Sequence, residues 1–379
     1  MYFQRRYLKE DKAFVGTSGL ETIDLPNKGL LSCVEFTVEA KCGVAGGSPD
    51  VWLHDCLEKV ELIVDGSKVV KSLTGEQILA LNMYQKCFYQ EPGQYQNTNT
   101  TQRQHFLLNL GRFYHDLDYM MDLGKVNDPE VRITFKFDKT GQNGWDSGRA
   151  FQEDPTPKYS MIPHLLRESE ITPKGYIKTS EIYRYTSAAS RKENMIIPRG
   201  PLYNGLYLQS RYYGEGLSRI LDHIEVNINN GELIPFRVAN RQFLAELRRR
   251  YGEFRFDVVI DPTPGGQFYP PLEYAIVEET VYMNSDIIAS GGVAYGGYNR
   301  VYGWTISDHT PTVDPVSRLL TYIGILPHFL AKIPYLDEMD ERTWIDSKEL
   351  GDFWVGVEQT DADATHATVK LLADEVVRQ

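Results

Sequence analysis

The chain has little cysteine and uses it early: four residues in 379, Cys33, Cys42, Cys56 and Cys87, all in the first quarter. None sits in a CxxC, so neither a zinc knuckle nor a disulfide framework is indicated, and the reading is four thiols in a reducing compartment. Histidine is no more suggestive. The eight residues (His54, His105, His115, His164, His223, His309, His328 and His366) are scattered, with no HxH or HExxH. His223, just before a strand, and His366, at the start of one, read as hydrogen-bonded structural side chains. A GxSxG elbow and a Walker loop are also missing. The sequence therefore indicates no catalytic, cofactor-binding or metal residue and no enzyme.

Long apolar runs are absent too. The most apolar stretch, "IGILPHFLAKI", is interrupted by Pro327, His328 and Lys332, so no segment reads as a membrane span. Tyr2 to Lys12 has no apolar core and does not read as a signal peptide. Positive charge is short: 40 Lys and Arg against 52 Asp and Glu give a net charge of −12. That argues against nucleic acid as a main partner, because phosphate binding needs clustered cations.

What is plentiful is aromatic and alternating. The 24 Tyr and 16 Phe lean towards β structure, where flat rings pack on pleated surfaces. At 379 residues, two domains are expected. "KVELIVDG" sets Val60, Leu62 and Val64 on one face. "VRITFKFD" alternates Val131, Ile133, Phe135 and Phe137 against Arg132, Thr134 and Lys136. "FRFDVVID" groups Phe254, Phe256, Val258 and Ile260, and "TVKLLADEV" opens with Val369, Leu371 and Ala373. Period two between Gly, Pro, Asn and Asp turns describes half-buried antiparallel strands in an all-β sandwich. Helices are few. Thr74 and Gln77 form a capping box ahead of "QILALNMY", and Asn240 is expected to cap "RQFLAELRRRYG", with Phe243, Leu247 and Tyr251 on one face and Gly252 as the stop.

The sequence also repeats itself. Pro26 and Leu30 match Pro198 and Leu202 at an offset of 172. Val60, Leu62 and Val64 match Ile224, Val226 and Ile228 at 164. Gly66 matches Gly231 at 165, each in a hairpin turn whose positive φ suits Asp, Asn and Gly. Leu73, Gln77, Leu79 and Ala80 then match Val238, Gln242, Leu244 and Ala245, also at 165. Turn glycine and amphipathic helix fall into step, so the chain reads as two copies of one β domain.

The order "IDLPNKGLL…VEFTV…LEKVELIVDGSKVVKSLTGEQILALNMY…NLGRFYHDLDYMMDLG…PEVRITFKFD" resembles the double jelly-roll major capsid proteins of tailless icosahedral viruses with an internal membrane, the lineage of tectiviruses, corticoviruses and adenoviruses. The likeness rests on the "LP-x-x-G" corner, on the hairpin "VELIVDGSKVVKSL" running into a capped helix, and on "LGRFYHDLDYMMDL". The second copy keeps the first two elements, as "IIPRGPLYNGLYL" and "HIEVNINNGELIPFRVANRQFLAEL", and has no clear counterpart of the third. The resemblance implies two tandem eight-stranded antiparallel jelly rolls, each with a short helix after one hairpin. It divides the chain into an amino-terminal arm (1–20), jelly roll 1 (21–185) and jelly roll 2 (186–379). It further implies a structural virion protein, made in the host cytoplasm, whose homotrimers form pseudo-hexameric capsomers. Its partners would be neighbouring capsomers, minor capsid or vertex proteins and an internal membrane, with no cofactor.

Other features have plainer readings. In "YHDLDYMMDL", Asp116 and Asp118 are taken as solvated alternate positions of a strand, and Asp361 and Asp363 likewise carry no role. The long segments Tyr89 to Gln104, Lys139 to Tyr159 and Gly291 to Pro315 are expected to be surface features. "MYFQRRYLKEDK", read as a helix, puts Phe3 and Tyr7 four apart and lines Arg5, Lys9 and Lys12 along another side. Arg5, Arg6 and Lys9 are therefore candidates to meet either anionic headgroups or a neighbouring subunit. The alternative function is a carbohydrate-binding or glycan-processing protein on two jelly rolls, using Tyr295, Tyr298, Tyr302 and Trp304.

Overall fold

A computed structural model describes residues 1–41, 52–86, 93–96, 101–138, 151, 156–211, 217–261, 296–297, 300–301, 318–335, 337, 339–360 and 368–379. The first copy is built from β1 (Tyr2–Arg5), β2 (Lys9–Ala13), β3 (Ser18–Asp24), β4 (Leu30–Lys41), β5 (Leu57–Val64) and β6 (Lys68–Leu73). Helix α1 (Gly75–Tyr84) follows, then β7 (Gly93–Gln96), β8 (Thr101–Asn109), β9 (Met121–Asp122), β10 (Glu130–Lys136) and β11 (Lys158–Arg167). The second copy runs β12 (Gly175–Thr186), β13 (Lys192–Ile196), β14 (Leu202–Arg211), the one-turn α2 (Leu217–Ile220), β15 (Leu221–Ile228), β16 (Leu233–Ala239) and α3 (Asn240–Tyr251). It continues with β17 (Phe254–Asp261), the short pair β18 (Gly296–Gly297) and β19 (Arg300–Val301), β20 (Arg318–Gly324), β21 (Leu330–Lys332), β22 (Ile345–Asp346), β23 (Phe353–Gln359) and β24 (Thr368–Arg378).

The two copies have the same wiring. In the first, β11–β4–β8 faces β6–β5–β10–β3; in the second, β24–β14–β21 faces β16–β15–β23–β13. This is the layered antiparallel sandwich that the alternation implies. Both hairpins turn through left-handed residues, Asp65 and Gly66 in one and Asn229, Asn230 and Gly231 in the other. Strand β9 pairs with Leu30 and Leu31, and β22 pairs with Leu202 and Tyr203. The third element of the repeat therefore has a second-copy counterpart in position, although not in sequence.

Each sandwich encloses its own apolar cluster. Val34, Phe36, Val60, Leu62, Ile133 and Phe135 belong to the first, and Leu206, Leu208, Ile224, Val226, Val355 and Leu371 to the second. The alternation of β10 is as read, with Val131, Ile133 and Phe135 buried between half-buried or exposed neighbours. Strand β24 departs from it: Val369, Leu371 and Ala373 are buried, and so are Leu372 and Asp374. Its second face is covered by the first copy, and Leu372 joins the first core.

Two pairings among the described strands are parallel, and both link distant parts of the chain: β12 with β6, at Thr179–Lys71 and Ser180–Ser72, and β17 with β7. The first of them makes one nine-stranded sheet run through both copies. The capping box at α1 forms as read, Thr74 Oγ1 accepting from Gln77 N–H and Gln77 Oε1 accepting from Thr74 N–H. At α3, however, Ala239 is the N-cap and Asn240 already lies inside the helix.

Candidate functional site

The amino-terminal segment carrying Arg5, Arg6 and Lys9 is not a helix. Tyr2–Arg5 pairs antiparallel with His164–Arg167, and β2 pairs with the same strand, β11, further along. Here β11 offers a row of backbone partners, and strand pairing outweighs the helical spacing of Phe3 and Tyr7. Arg5 and Arg6 are exposed and Lys9 is half-buried. The segment also has a counterpart in the repeat: Gly175 follows Tyr2, and Thr186 follows Ala13, at one spacing of 173 residues. Strands β1 and β2 flank β11 as β12 flanks β24.

Phe3 leads to a cluster on the outward face of β4 and β11. The register sets His164 directly opposite Cys33, both wholly buried. Over them folds the loop Gly111–Tyr119, which the sequence had suggested was strand. Asp116 is buried there, not solvated. It accepts from Arg112 Nε at 2.6 Å and from Arg112 Nη2 at 2.9 Å, and its carboxylate also receives the Arg112 and Asp118 backbone N–H groups. Asp118 is half-exposed and shares Arg112. This charge-assisted pair holds the turn that presents His115, whose φ of 59° is left-handed. The His115 ring lies between Phe3, at 3.7 Å, and Tyr114, at 3.8 Å.

His115 Nε2 and His164 Nδ1 are 3.1 Å apart, and the Tyr114 hydroxyl is 3.3 Å from the same Nδ1. The Glu35 carboxylate lies 2.9 Å from His164 Nε2. Cys33 Sγ and the ligating nitrogens of His115 and His164 all fall within 4.8 Å of one another. Burial, then the neighbouring His164 and Arg5, depress the His115 pKa to about 4. The hydrogen bond with His164 lowers that of Glu35. Sequence reasoning missed this group because the three side chains are dozens of residues apart; strand register and a turn bring them together.

The seam between copies is the other concentration of buried polar groups. Lys71 Nζ donates to Thr179 Oγ1 at 2.6 Å, Thr179 Oγ1 donates to Asp374, and the Tyr207 hydroxyl donates to Asp374 at 2.7 Å. Gln77 Nε2 donates to Gln209 Oε1, Gln209 Nε2 donates to the His328 carbonyl, and the Tyr84 hydroxyl donates to the Leu330 carbonyl. His54, Glu76 and His328 are packed here as a buried trio. The docking surfaces are thus α1 and β6 of the first copy against the outer face of β12, β14 and β21 in the second. Tyr295, Tyr298, Tyr302 and Trp304, like most of the long segments expected at the surface, lie outside the described residues.

A duplicated sandwich joined through one sheet is the double jelly-roll fold, the fold of viral major capsid proteins. Over its length the chain is similar to the STIV MCP, with 12% identity, 99% of this chain and 97% of that one covered, and a TM-score of 0.57. PBCV-1 VP54 matches at 9% identity, 99% and 95% coverage and 0.53, and the major capsid protein P2 from Bacteriophage PM2 at 10%, 99% and 98%, and 0.51. No protein-family model and no curated protein matches the sequence.

Proposed function

We propose that the chain is the major capsid subunit of an icosahedral virus and that three copies close into a pseudo-hexameric ring. One observation carries this reading. The first copy docks on the second along α1 and β6, whereas the second copy's equivalent α3 reaches the first copy at its last residue, Tyr251, whose ring packs on Tyr84, and among the described strands β16 pairs with β15 alone. β16 is an edge strand whose Leu233 and Ile234 are 54% and 42% exposed, with Pro235 between β15 and solvent. The matching receptor surface of the first copy is also open: Tyr2 and Tyr7 are about half exposed, and the outer face of β4 shows Glu35, Thr37 and Glu39.

Repeating the internal contact head to tail between chains joins α3 and β16 of one to the first copy of the next. Two units per chain make six units from three chains, a heterologous contact that closes. Arg5, Arg6 and Lys9 then belong to the subunit contact. In this reading the expected division 1–20, 21–185 and 186–379 shifts: residues 1–20 join jelly roll 1 through β1 and β2, and β12, Gly175–Thr186, opens jelly roll 2. The reading also includes a virion location after synthesis in the host cytoplasm, contacts with neighbouring capsomers, vertex proteins and an internal membrane, and no catalytic step.

The test is sedimentation and negative-stain microscopy of the purified chain. We expect trimers of hexagonal outline with an interface above roughly 2,000 Å², the range of obligate oligomers. Ile234→Asp with Tyr7→Asp should release folded monomers. A parent chain that is a stable, folded monomer at micromolar concentration refutes the proposal.

A further inference from the structure

We propose that Cys33, His115 and His164 bind one zinc-class divalent ion on the outer face of the first jelly roll. The chemistry begins with Glu35. An ionised carboxylate only accepts hydrogen bonds, so the 2.9 Å contact requires the proton of His164 to sit on Nε2. Its Nδ1 then presents a lone pair into the cluster, towards His115 Nε2 and Cys33. A carboxylate holding the far nitrogen of a ligating imidazole is the usual second layer of a zinc site, fixing ring orientation and raising ligand basicity.

The geometry fits one ion. Ligands about 2.0–2.3 Å from a tetrahedral zinc lie about 3.3–3.8 Å from each other. The two imidazole nitrogens are 3.1 Å apart, and all three donor atoms lie within 4.8 Å of one another. Small side-chain rotations close the difference. The donors are also held: Cys33 and His164 by neighbouring strands in register, and His115 by a left-handed turn pinned by Arg112 and Asp116 and by the Phe3 and Tyr114 rings. On binding, the thiol proton leaves to solvent, the proton that His115 Nε2 shares with His164 Nδ1 is exchanged for one on the outer Nδ1 of His115, and a sulfur–metal bond forms with lone pairs from the two imidazoles; water or the Tyr114 hydroxyl completes the shell. One thiolate and two imidazoles favour zinc over magnesium or calcium. Of the other groupings of this kind among the described residues, the seam trio His54, Glu76 and His328 lacks sulfur, and Asp222, His223 and Glu358 lie at the surface.

The test uses the full-length chain and zinc alone, and it is independent of whether the chain forms trimers. After equilibration and desalting, the parent should retain zinc, and cobalt in its place should give a thiolate-to-cobalt charge-transfer band. That band separates this site from the sulfur-free seam trio. Cys33→Ser and His115→Gln should each abolish the band and lower the retained metal by one ion per chain. Glu35→Gln should weaken zinc binding about 10–100-fold while keeping the band at saturating cobalt. His115→Gln changes a loop and leaves both strands intact, so it decides the matter if Cys33→Ser misfolds. A parent chain with no charge-transfer band, or a folded His115→Gln chain with an undiminished one, overturns the proposal.

Discussion

Helices α1 and α3 hold the same place in the two copies, each following the hairpin that ends in Leu73 or Ala239. Yet every residue of α1 from Gly75 to Tyr84 is buried, whereas α3 buries Phe243, Leu244 and Leu247 and shows Arg241, Arg249 and Arg250 to solvent. The strands beside them differ in the same sense. β6 has a neighbour on both sides, β5 and β12, while β16 pairs with β15 and carries Pro235, a residue that suits an edge because it offers no N–H to a further strand. A helix buried on all sides, even at Glu76, Gln77 and Asn82, is an interior helix, and a one-sided helix belongs to a surface. One architecture has thus been tuned to two settings: inside a seam in the first copy, and at a face left for another molecule in the second.

The largest effect should come from the seam itself. Asp374 is 3% exposed and accepts from both Thr179 and Tyr207, with the buried Lys71 ammonium beyond Thr179. Asp374→Ala removes the acceptor that Thr179 and Tyr207 share and leaves two buried hydroxyl donors unsatisfied, a loss of about 2–6 kcal/mol. Urea unfolding would measure it. A loss below about 1 kcal/mol, the scale of an exposed ion pair, would mean that water reaches the seam and that the copies are joined mainly by apolar contact.

The same residue type in both helices gives a sharper comparison. Ala80 is wholly buried in α1, and its partner in the repeat, Ala245, is exposed on α3. Ala80→Leu overpacks the seam and should cost about 1–3 kcal/mol in the unfolding midpoint. Ala245→Leu should stay within about 0.5 kcal/mol, as a surface substitution does. If the open side of α3 meets the next chain, Ala245→Leu will instead move the sedimentation profile towards monomers with the unfolding curve unchanged. Equal stability losses from the two substitutions would erase the distinction between seam and surface.

How far these settings could be read beforehand depended on how local their causes were. The alternation of β5 and β10, the left-handed hairpin at Gly66 and the capping box at Thr74 are decided within a few residues, and each was legible. So was the duplication, because those local signals recur in order. Strands β1 and β2 were not: their partner β11 lies some 150 residues away, and nothing between Tyr2 and Lys12 announces it. The double-sided burial of β24 comes from the other copy docking on it. Asp116 was read as solvated because its partner, Arg112, is brought round by a turn rather than by strand spacing. Cys33, His115 and His164 escaped notice for the same reason, since their proximity exists only after β4 and β11 have paired.

The smallest expected change tests whether the helices share one design at their first turn. In α1, Thr74 and Gln77 exchange hydrogen bonds, 3.3 Å from Gln77 N–H to Thr74 Oγ1 and 3.0 Å from Thr74 N–H to Gln77 Oε1. The second copy keeps the glutamine as Gln242 but has Ala239 at the N-cap, where no side chain caps the helix. Ala239 already has the extended backbone an N-cap needs, φ −70° and ψ 156°, close to the −80° and 164° of Thr74. Ala239→Thr therefore supplies the missing oxygen, with a γ-methyl beside it, placed to accept from Gln242 N–H, while the Gln242 side chain can return a bond to the cap N–H. The gain should be about 0.5–1 kcal/mol, towards the lower end of cap substitutions because α3 is solvated on one side. A rise in the urea midpoint that vanishes in the Ala239→Thr, Gln242→Ala double variant would identify the box. A rise that survives it would mean that the hydroxyl caps the helix alone, and no rise would mean that β15, which pairs through His223 with Ala239, already fixes the turn.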